Sequence, residues 1–290
     1  MLKLGFIGAG TVGTALSVRL RSKGYQVVAI SNRSQSSANN LARAIANCRV
    51  FDNNQGVADV ADLIFITTPD DAIAPSVSQI QWHSEQSVVH CSGADSTEIL
   101  EPARKAGAQV GGFHPLQTFA SVEQAIENIP GSTFAIEAQE PLLNVLKGMA
   151  TALDSHWIEL TSNDKVIYHA AAVIACNYMV TMVKLATDLW QSFNIPPQQA
   201  TQALLPLLRG TIHNIETVGM PQCLTGPIAR GDSGTIKKHI EALQKTAPSL
   251  LSTYKELGLQ TIPIALDKGR INQQQAQELQ TILKQTINTD

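Results

Sequence analysis

Three glycines near the amino terminus are spaced as in a phosphate-binding turn. Gly8, Gly10 and Gly13 form the pattern G-x-G-x-x-G where the apolar run 2–7 gives way to residues with helical spacing. In such a turn the first glycine allows the tight bend, the second lets a pyrophosphate approach the backbone, and the third lets helix and strand pack closely. The phosphates lie at a helix N-terminus, where unpaired N–H groups favour negative charge. A turn without a ligand is the alternative. The pattern predicts a dinucleotide site formed by Gly8, Ala9, Gly10, Thr11, Val12 and Gly13.

The residues that follow the second predicted strand, 26–30, indicate which dinucleotide binds. In sites that prefer NAD an acidic residue here binds the ribose 2′-hydroxyl, whereas a basic residue accommodates the 2′-phosphate of NADP. The chain has no Asp or Glu at this point, and Arg33 can pair with a phosphate. A solvated polar loop is the alternative. We therefore predict NADP as the cofactor, with contacts from Ser31, Asn32, Arg33 and Ser34.

Two further predicted strands, 63–66 and 87–90, end in small polar residues. The carboxyl ends of parallel strands beside a nucleotide line its crevice, so these residues are candidate contacts to ribose or pyrophosphate. Helix capping by Thr68 or Asp70 is a second interpretation, and it is compatible with the first. The predicted contacts are Thr67, Thr68, Pro69 and Ser92, with Pro69 also starting the next helix.

Four side chains are candidates for proton transfer and substrate orientation. His114 follows the predicted strand 109–113 and precedes a proline, which holds it extended, and imidazole exchanges protons near neutral pH. A histidine that merely caps the strand is the alternative. Lys165 and His169 are four residues apart on one helical face, with Asn177 a looser neighbour. A lysine near another cation in an apolar helix should have a lowered pKa, which suits an acid working near neutrality.

The composition describes a globular protein without an obvious charged partner. Of 290 residues, 44% are hydrophobic and 16% are charged, and the net charge of −3 gives no reason to expect nucleic acid or an anionic membrane as partner. The four cysteines lack C-x-x-C or zinc-finger spacing, so we expect free thiols and no metal site. The chain runs directly into a strand without a basic, apolar leader, so we expect no signal peptide and a cytoplasmic location.

The order of elements predicts an α/β protein with two domains. Strands and helices alternate up to residue 160, as in a doubly wound, mostly parallel sheet, and the rest is helical. We place a dinucleotide-binding domain at 1–160 and an all-helical domain for substrate binding or dimerisation at 161–290. Lys165 to Phe193 contains neither Gly nor Pro and begins apolar on every side, which predicts one long helix in the core or in a subunit interface, and not a membrane span. A homodimer is expected.

The rest of the second domain is predicted from its turns. Pro197 begins a helix that continues to about Val218, and helices are expected at roughly 247–257 and 272–287. The irregular stretch 223–232 precedes a further helix. Its Thr225 and Arg230 could clamp a substrate or an anion, and a plain connection between helices is the alternative.

Several motifs resemble a known superfamily. GFIGAGTVG, SNRS and the long lysine-bearing helix are similar to the 6-phosphogluconate-dehydrogenase-like superfamily, which includes pyrroline-5-carboxylate reductase, ketopantoate reductase and prephenate dehydrogenase. The stretches FHPLQTF, YHAAAVIACNY and LTGPIARGD resemble an uncharacterised family that pairs a Rossmann-like domain with a helical domain of unknown function and is generally labelled NADP oxidoreductase. The resemblance implies that Lys165 polarises or protonates a substrate oxygen. His169 stands where hydroxyacid enzymes have asparagine, and His114 matches a prephenate dehydrogenase histidine that holds the reacting hydroxyl.

These observations together predict an NADP(H)-dependent oxidoreductase. It would transfer a hydride between the nicotinamide and a small carbonyl, imine or hydroxy compound, with the protein holding the substrate and managing one proton. Two alternatives remain: an NADP-binding sensor or scaffold without turnover, and a helical dimerisation protein with a vestigial Rossmann domain.

Overall fold

The computed structural model describes residues 2–285 of the chain. These residues form two compact units, and the division in the sequence falls between Cys176 and Asn177. Lys165 and His169 therefore belong to the first unit. Within residues 2–285 the last strand ends at Glu159, and the secondary structure after it is helical. The predicted domain boundary near residue 160 was placed at this change.

The first unit contains one sheet of eight strands. They are β1 (Lys3–Ile7), β2 (Gln26–Ser31), β3 (Arg49–Phe51), β4 (Leu63–Ile66), β5 (Ser87–His90), β6 (Gln109–Leu116), β7 (Thr133–Ala138) and β8 (His156–Glu159). Their order is β3-β2-β1-β4-β5-β6-β7-β8, and every neighbouring pair is parallel except β6 and β7. The predicted fold class, a doubly wound and mostly parallel sheet followed by helices, is confirmed.

Eight helices accompany the strands of this unit. They are α1 (Thr11–Ser22), α2 (Gln35–Ala44), α3 (Asn54–Ala58), α4 (Asp70–Ser78), α5 (Glu101–Lys105), α6 (Val122–Asn128), α7 (Leu142–Ala152) and α8 (Lys165–Ala175). Apolar side chains cover both faces of the sheet, in two separate clusters. Burial on both faces is the reason that the central strands read as continuous apolar runs.

A row of fully buried phenylalanines runs across one face of the sheet. Phe6 stacks on Phe65 with ring centroids 5.0 Å apart, and Phe113 stacks on Phe134 at 4.2 Å. Burying each such ring contributes about 1.5–3 kcal/mol relative to leaving it exposed. This row holds β1, β4, β6 and β7 in one layer, and the carboxyl ends of β1 and β4 therefore lie together at one edge.

Strand β6 is longer than its sequence predicts, and this moves His114 from the end of a strand into its interior. The strand was expected to end at Phe113, but it continues to Leu116 because it pairs in antiparallel fashion with β7, where His114 lies opposite Ala135. On its other side β6 pairs with β5 only as far as Gly112. The part that contains Pro115 is therefore open on that side, which is where a strand tolerates proline.

The second unit is helical throughout its described part. Its helices are α9 (Asn177–Leu189), α10 (Pro197–Val218), α11 (Ser233–Thr246), α12 (Leu251–Asp267) and α13 (Gln273–Lys284). Helix α12 continues through Gly258 and Pro263. It ends at Asp267, ten residues beyond the predicted end at 257. Gly258 is a packing position, because a Cβ there would lie 3.0 Å from Leu283. The predicted last helix extends to 287, and residues 286–287 lie outside the described part.

The apolar segment from Lys165 to Phe193 differs from its prediction in two ways. It is interrupted at Cys176, between α8 and α9, and it ends in a 3-10 turn, Trp190–Phe193. None of its most apolar stretch is buried, so the expectation of a core helix is wrong for the single chain, and the subunit interface stays a prediction. By length and composition alone the segment could also span a membrane.

Candidate functional site

The glycine turn between β1 and α1 has the geometry that its sequence predicts. Gly8 has φ +115°, and a Cβ there would lie 2.7 Å from the carbonyl carbon of Thr67. A Cβ on Gly13 would collide with the carbonyl oxygen of Gly8, so α1 can approach β1 only with glycine at this position. The space beside Gly10 is open, and its missing side chain leaves the first turn of α1 without a side-chain cap. The N–H groups of this turn, in Thr11, Val12 and Gly13, can therefore face an anion.

A cavity of about 200 Å³ lies against this turn. Thr67 donates its hydroxyl to the carbonyl of Gly8 at 2.8 Å, so that hydroxyl holds the turn together. The hydroxyl of Thr68 is buried and has no hydrogen-bond partner among the described residues. An orphaned buried hydroxyl fits a site that a polar ligand completes. Eight of the predicted contact residues line the cavity: Gly8, Gly10, Ser31, Asn32, Arg33, Thr67, Thr68 and Pro69. Asn54, Ala72 and Ser76 also line it, and the sequence did not single them out.

The loop after β2 supports the turn and carries a cation. Asn32 accepts a hydrogen bond from the N–H of Ala9 at 3.1 Å, and Ser31 donates to Asn54 at 2.7 Å. Ser34 caps α2 by accepting from the N–H of Ser37 at 3.4 Å. Arg33 is exposed at the cavity, whose lining contains no carboxylate, and in residues 2–285 its guanidinium forms no hydrogen bond or ion pair with the protein. The arrangement fits the phosphates of a dinucleotide.

Helix α4 begins directly after Pro69, as predicted. The other interpretation of this segment, capping of α4 by Thr68 or Asp70, is wrong because the helix has no side-chain cap. The hydroxyl of Thr68 thus remains unpaired within the described chain, and the acidic side chains of Asp70 and Asp71 stand in the first helical turn, where the helix dipole favours them.

A second group of side chains meets at the loop that follows β5. The hydroxyl of Tyr168 lies 2.7 Å from Nδ1 of His114, and the two rings are edge to face at 87°. The His114 and His169 rings lie 6.1 Å apart. A Cβ on Gly93 would lie 2.7 Å from Cδ2 of His169 and 2.9 Å from Nε2 of His114, so only glycine lets both imidazoles close over this loop. We refer to His114, Lys165, Tyr168 and His169 as the histidine cluster.

Lys165 is the buried cation of the cluster. Its side chain is 1% exposed, and its Nζ donates to the carbonyl of Ser92 at 2.8 Å. The Ser92 hydroxyl donates to Asp95 at 3.0 Å and accepts from the N–H of Ala94 and of Asp95, which makes this loop rigid. Ser92 was predicted as a cofactor contact, and here it positions Lys165 through its backbone.

His90, at the end of β5, lies beneath the same loop and is fully buried. Its Nδ1 accepts a hydrogen bond from the N–H of Ser92 at 3.1 Å, so the hydrogen of the neutral ring is on Nε2. That atom has no partner among the described residues. The ring therefore supports the loop from below.

Burial and the charge of Lys165 together keep His90 and His114 neutral. Burial, and after it the charge of Lys165, lowers the pKa of His114 to about 4 and that of His90 to about 3. Burial raises the pKa of Tyr168 to about 12. The pKa of Lys165 is lowered as expected, but by burial and not by a neighbouring cation, and Glu137 is the strongest of the charges that oppose the shift. At neutral pH the uncharged ring of His114 can therefore donate one hydrogen bond and accept another.

Tyr168 is the residue of this cluster that sequence reasoning missed. It follows Lys165 by three residues and precedes His169 by one, so helical spacing places all three on one face. That spacing was available in the sequence. The other predicted substrate contacts, Asn177, Thr225 and Arg230, belong to the second unit, where Asn177 is exposed at the start of α9.

Two family models divide the chain between them. Residues 1–115 match the Rossmann-like domain, and residues 132–261 match a domain of unknown function, DUF2520. The chain pairs a Rossmann-like domain with a DUF2520 domain. This is the pairing that the sequence motifs resemble. Among curated proteins none matches the chain by sequence.

Solved structures with the same fold cover nearly the whole chain. BF3122 from Bacteroides fragilis, described as a candidate NADP oxidoreductase, is 25% identical with a TM-score of 0.70, and the match covers 93% of this chain and 98% of that one. A reductive aminase from Aspergillus terreus, in complex with NADPH and ethyl-5-oxohexanoate, is 13% identical with a TM-score of 0.65 and coverages of 98% and 93%. A 1-pyrroline-5-carboxylate reductase from Streptococcus pyogenes is 17% identical with a TM-score of 0.61 and coverages of 97% and 98%.

Proposed function

We propose that this protein is an NADP(H)-dependent oxidoreductase that transfers a hydride between the nicotinamide and a small carbonyl, imine or hydroxy compound. The observation that carries the proposal is the position of the histidine cluster. Thr67 and Thr68 follow β4 and line the cavity at the glycine turn, and Gly93, under the cluster, follows the adjacent parallel strand β5. Proton-transfer groups therefore stand beside the dinucleotide site, at the same edge of the sheet.

The solved structures support the choice of cofactor and reaction class. BF3122 is described as a candidate NADP oxidoreductase, and the Aspergillus terreus enzyme is a reductive aminase in complex with NADPH. In this chain Arg33 supplies the positive charge that a 2′-phosphate requires, and the loop 31–34 that carries it has no Asp or Glu to favour a 2′-hydroxyl; the carboxylate of Asp52 lines the adjoining cavity. These features favour NADP(H) over NAD(H).

The cofactor, when bound, would supply or accept the hydride, and this chain's residues would manage the proton. In this proposal the Tyr168 hydroxyl, 2.7 Å away, donates to Nδ1 of neutral His114, which assigns the hydrogen of the ring to Nε2, the atom that faces Gly93. From there the proton can pass to a substrate oxygen or nitrogen as the hydride arrives, while Nδ1 takes the proton of the Tyr168 hydroxyl so that the ring stays neutral, and solvent then restores the proton to Tyr168. The opposite reaction runs these transfers in reverse. Tyr168 is a positioning residue, because it fixes the tautomer of His114.

Lys165 and His169 have different parts in this proposal. Lys165 carries its charge in a buried position, where it stabilises negative charge that develops on a substrate oxygen. His169 stands edge-on to His114 across Gly93 and would contact the substrate from the other side. Asn177 is proposed as a further substrate contact from the helical unit, on its sequence position alone.

A titration of the full chain with NADPH and with NADH tests the cofactor assignment. We expect heat from NADPH and at least tenfold weaker binding of NADH, followed by turnover of one class in a screen of carbonyl, imine and hydroxy compounds by nicotinamide absorbance. Absence of heat with both nucleotides would overturn the proposal. Binding of NADPH without turnover of any compound, also in the presence of amines, would favour the sensor or scaffold.

We also propose that the protein is a homodimer through its helical unit. Helices α9 and α10 bury only Thr187 and Ala200 among their described residues. They leave large apolar side chains in solvent instead, including Val180 at 69% and Leu207 at 66% exposure. Monomeric proteins rarely expose a contiguous apolar surface of this kind. A second copy would cover it, as expected for a C2 dimer with two identical helix pairs.

A further inference from the structure

A cavity of about 440 Å³ in the helical unit is lined by cationic groups. Three of its lining side chains are positively charged and none is a carboxylate. The cavity is within the usual size range of small-molecule sites. The lining residues that matter here are Thr225, Arg230, Lys268 and Arg270. We refer to this as the cationic cavity.

One wall of the cationic cavity is a rigid loop. Gly226 (φ +98°) and Gly231 (φ +68°) allow the two sharp turns that flank the 3-10 turn Ile228–Arg230. The turn is closed by a hydrogen bond of 2.9 Å from the N–H of Asp232 to the carbonyl of Pro227. Ile228 is buried in the core of the helical unit. The backbone of Arg230 is therefore held in place before any ligand arrives.

The opposite wall lies at the end of α12, about forty residues further along the chain. Lys268 ties the two walls together, since its Nζ donates to the carbonyls of Gln222 at 2.7 Å and Leu224 at 2.6 Å. An ammonium has three hydrogens, and the described chain uses two of them. Arg270 precedes Ile271, which is buried in the same core. Both walls thus present a cation beside a buried anchor residue.

The two arginines of the cationic cavity have no hydrogen-bond or ion-pair partner in the described part of the chain. Neither Arg230 nor Arg270 forms a side-chain hydrogen bond or an ion pair with residues 2–285. The next carboxylate on the loop, that of Asp232, accepts from the N–H and the hydroxyl of Thr235 at 2.9 and 2.7 Å and so caps α11. These hydrogen bonds are the main cause that lowers the pKa of Asp232, and the nearby charge of Arg230 is a lesser one. Like charges held near one another repel, and an anion between them relieves this cost.

We propose that the cationic cavity is a binding site for a small molecule with a phosphate or carboxylate group. Guanidinium groups match both anions because their paired N–H donors align with two oxygens. The third hydrogen of Lys268 and the hydroxyl of Thr225 add two further donors to the lining. This site belongs to the helical unit and is additional to the glycine turn of the first unit.

Calorimetric titration of the full chain with inorganic phosphate and, separately, with succinate tests the site. The test variant is Arg230→Gln/Arg270→Gln. The control, Lys237→Gln/Lys245→Gln, removes two exposed charges from α11, outside the cavity. We expect the test variant to bind the preferred anion at least tenfold more weakly, while the control binds it like the wild type. The stronger of the two probes identifies the anion as phosphate or carboxylate.

Further measurements separate this site from the dinucleotide site. If phosphate bound at the glycine turn, the heat would be equal in the wild type, the test variant and the control. The Kd of NADPH should be unchanged in the test variant. Arg230→Lys/Arg270→Lys keeps the charges but loses the paired donors, so we expect intermediate binding and an unchanged fold. Equal binding by test and control variants, or no binding of either probe by the wild type, would overturn the proposal.

Discussion

The hydroxyl of Tyr168 lies 2.7 Å from Nδ1 of His114, and the helical unit repeats this geometry between Tyr254 and His239 at 2.8 Å. The two pairs have nearly the same ring arrangement, with interplanar angles of 87° and 80°. They differ in their surroundings, because His239 is exposed and His114 is partly enclosed beside buried Lys165. The repeated pair offers a matched control for the proposed proton transfer.

The first prediction concerns the tautomer of His114. Tyr168→Phe removes the donor to Nδ1 and leaves the ring free to carry its hydrogen on the wrong nitrogen. We expect kcat to fall about tenfold to a hundredfold, with KM and the Kd of NADPH little changed. Tyr254→Phe removes the same kind of hydrogen bond and should leave kcat unchanged. Equal kcat values in the two variants would contradict the assigned role of Tyr168.

The second prediction concerns the charge of Lys165, which is the second cause, after burial, of the low pKa of His114. In Lys165→Met the pKa of His114 should rise part of the way from about 4 toward 6.5, because burial remains. NMR titration of the imidazole measures this without any substrate. Lys147→Met removes a lysine that lies over the ring of Trp157 instead and should leave the pKa of His114 in place. If the pKa of His114 is the same in Lys165→Met as in the wild type, the charge of Lys165 does not lower it.

The third prediction separates the two nicotinamide cofactors. Arg33→Gln should weaken NADPH binding about tenfold to a hundredfold, because a charge-assisted hydrogen bond contributes about 1.5–3 kcal/mol, and should leave NADH binding nearly unchanged. Calorimetry of both nucleotides measures the difference. Arg43→Gln, in the last turn of α2, removes the same charge away from the cavity and serves as the control. If both arginine variants bind NADPH like the wild type, Arg33 does not contact the 2′-phosphate.

The fourth prediction is a loss of stability in acid. The folded chain holds the pKa of His114 at about 4 and of His90 at about 3, below the ordinary value of 6.5. The unfolded chain therefore binds more protons below pH 6.5, and the free energy of unfolding falls as the pH falls through about 4 toward 3. The contribution of His114 is on the order of 3 kcal/mol.

Urea unfolding at a series of pH values measures this acid dependence. His114→Asn should flatten the fall between pH 6.5 and 4, whereas His156→Asn, at an exposed histidine of β8, should leave it unchanged. The same slope in His114→Asn as in the wild type would show that His114 does not cause the acid sensitivity.

The fifth prediction tests the dimer. Leu207→Asp places a charge in the exposed apolar surface of α10 and should convert a dimer into a monomer in analytical ultracentrifugation. Leu257→Asp makes the same change at an exposed leucine of α12 and should leave the dimer intact. A wild type that sediments as a single chain contradicts the dimer, and recovery with lipid vesicles would indicate that a membrane covers the apolar surface instead.

Local patterns were sufficient for several strands and for the glycine turn of the first unit. The bounds of β4 and β5 agree with their sequence predictions, and the glycine turn has its expected form. These features depend on residues that are neighbours in the chain: an apolar run fixes a buried strand, and a glycine fixes a bend. His114, Lys165 and His169 could be singled out for the same reason, because each stands at a recognisable place in a strand or helix.

Tertiary structure decided what depends on residues far apart in sequence. The antiparallel pairing with β7 placed His114 inside β6, and the meeting of Ser92, His114 and Tyr168 required three separate elements. The cationic cavity combines Arg230 with Arg270, and an apolar helix expected in the core is exposed in the single chain. Apolar periodicity indicates that one face of a helix must be covered. Only the packed chain shows whether its own residues or another surface cover that face.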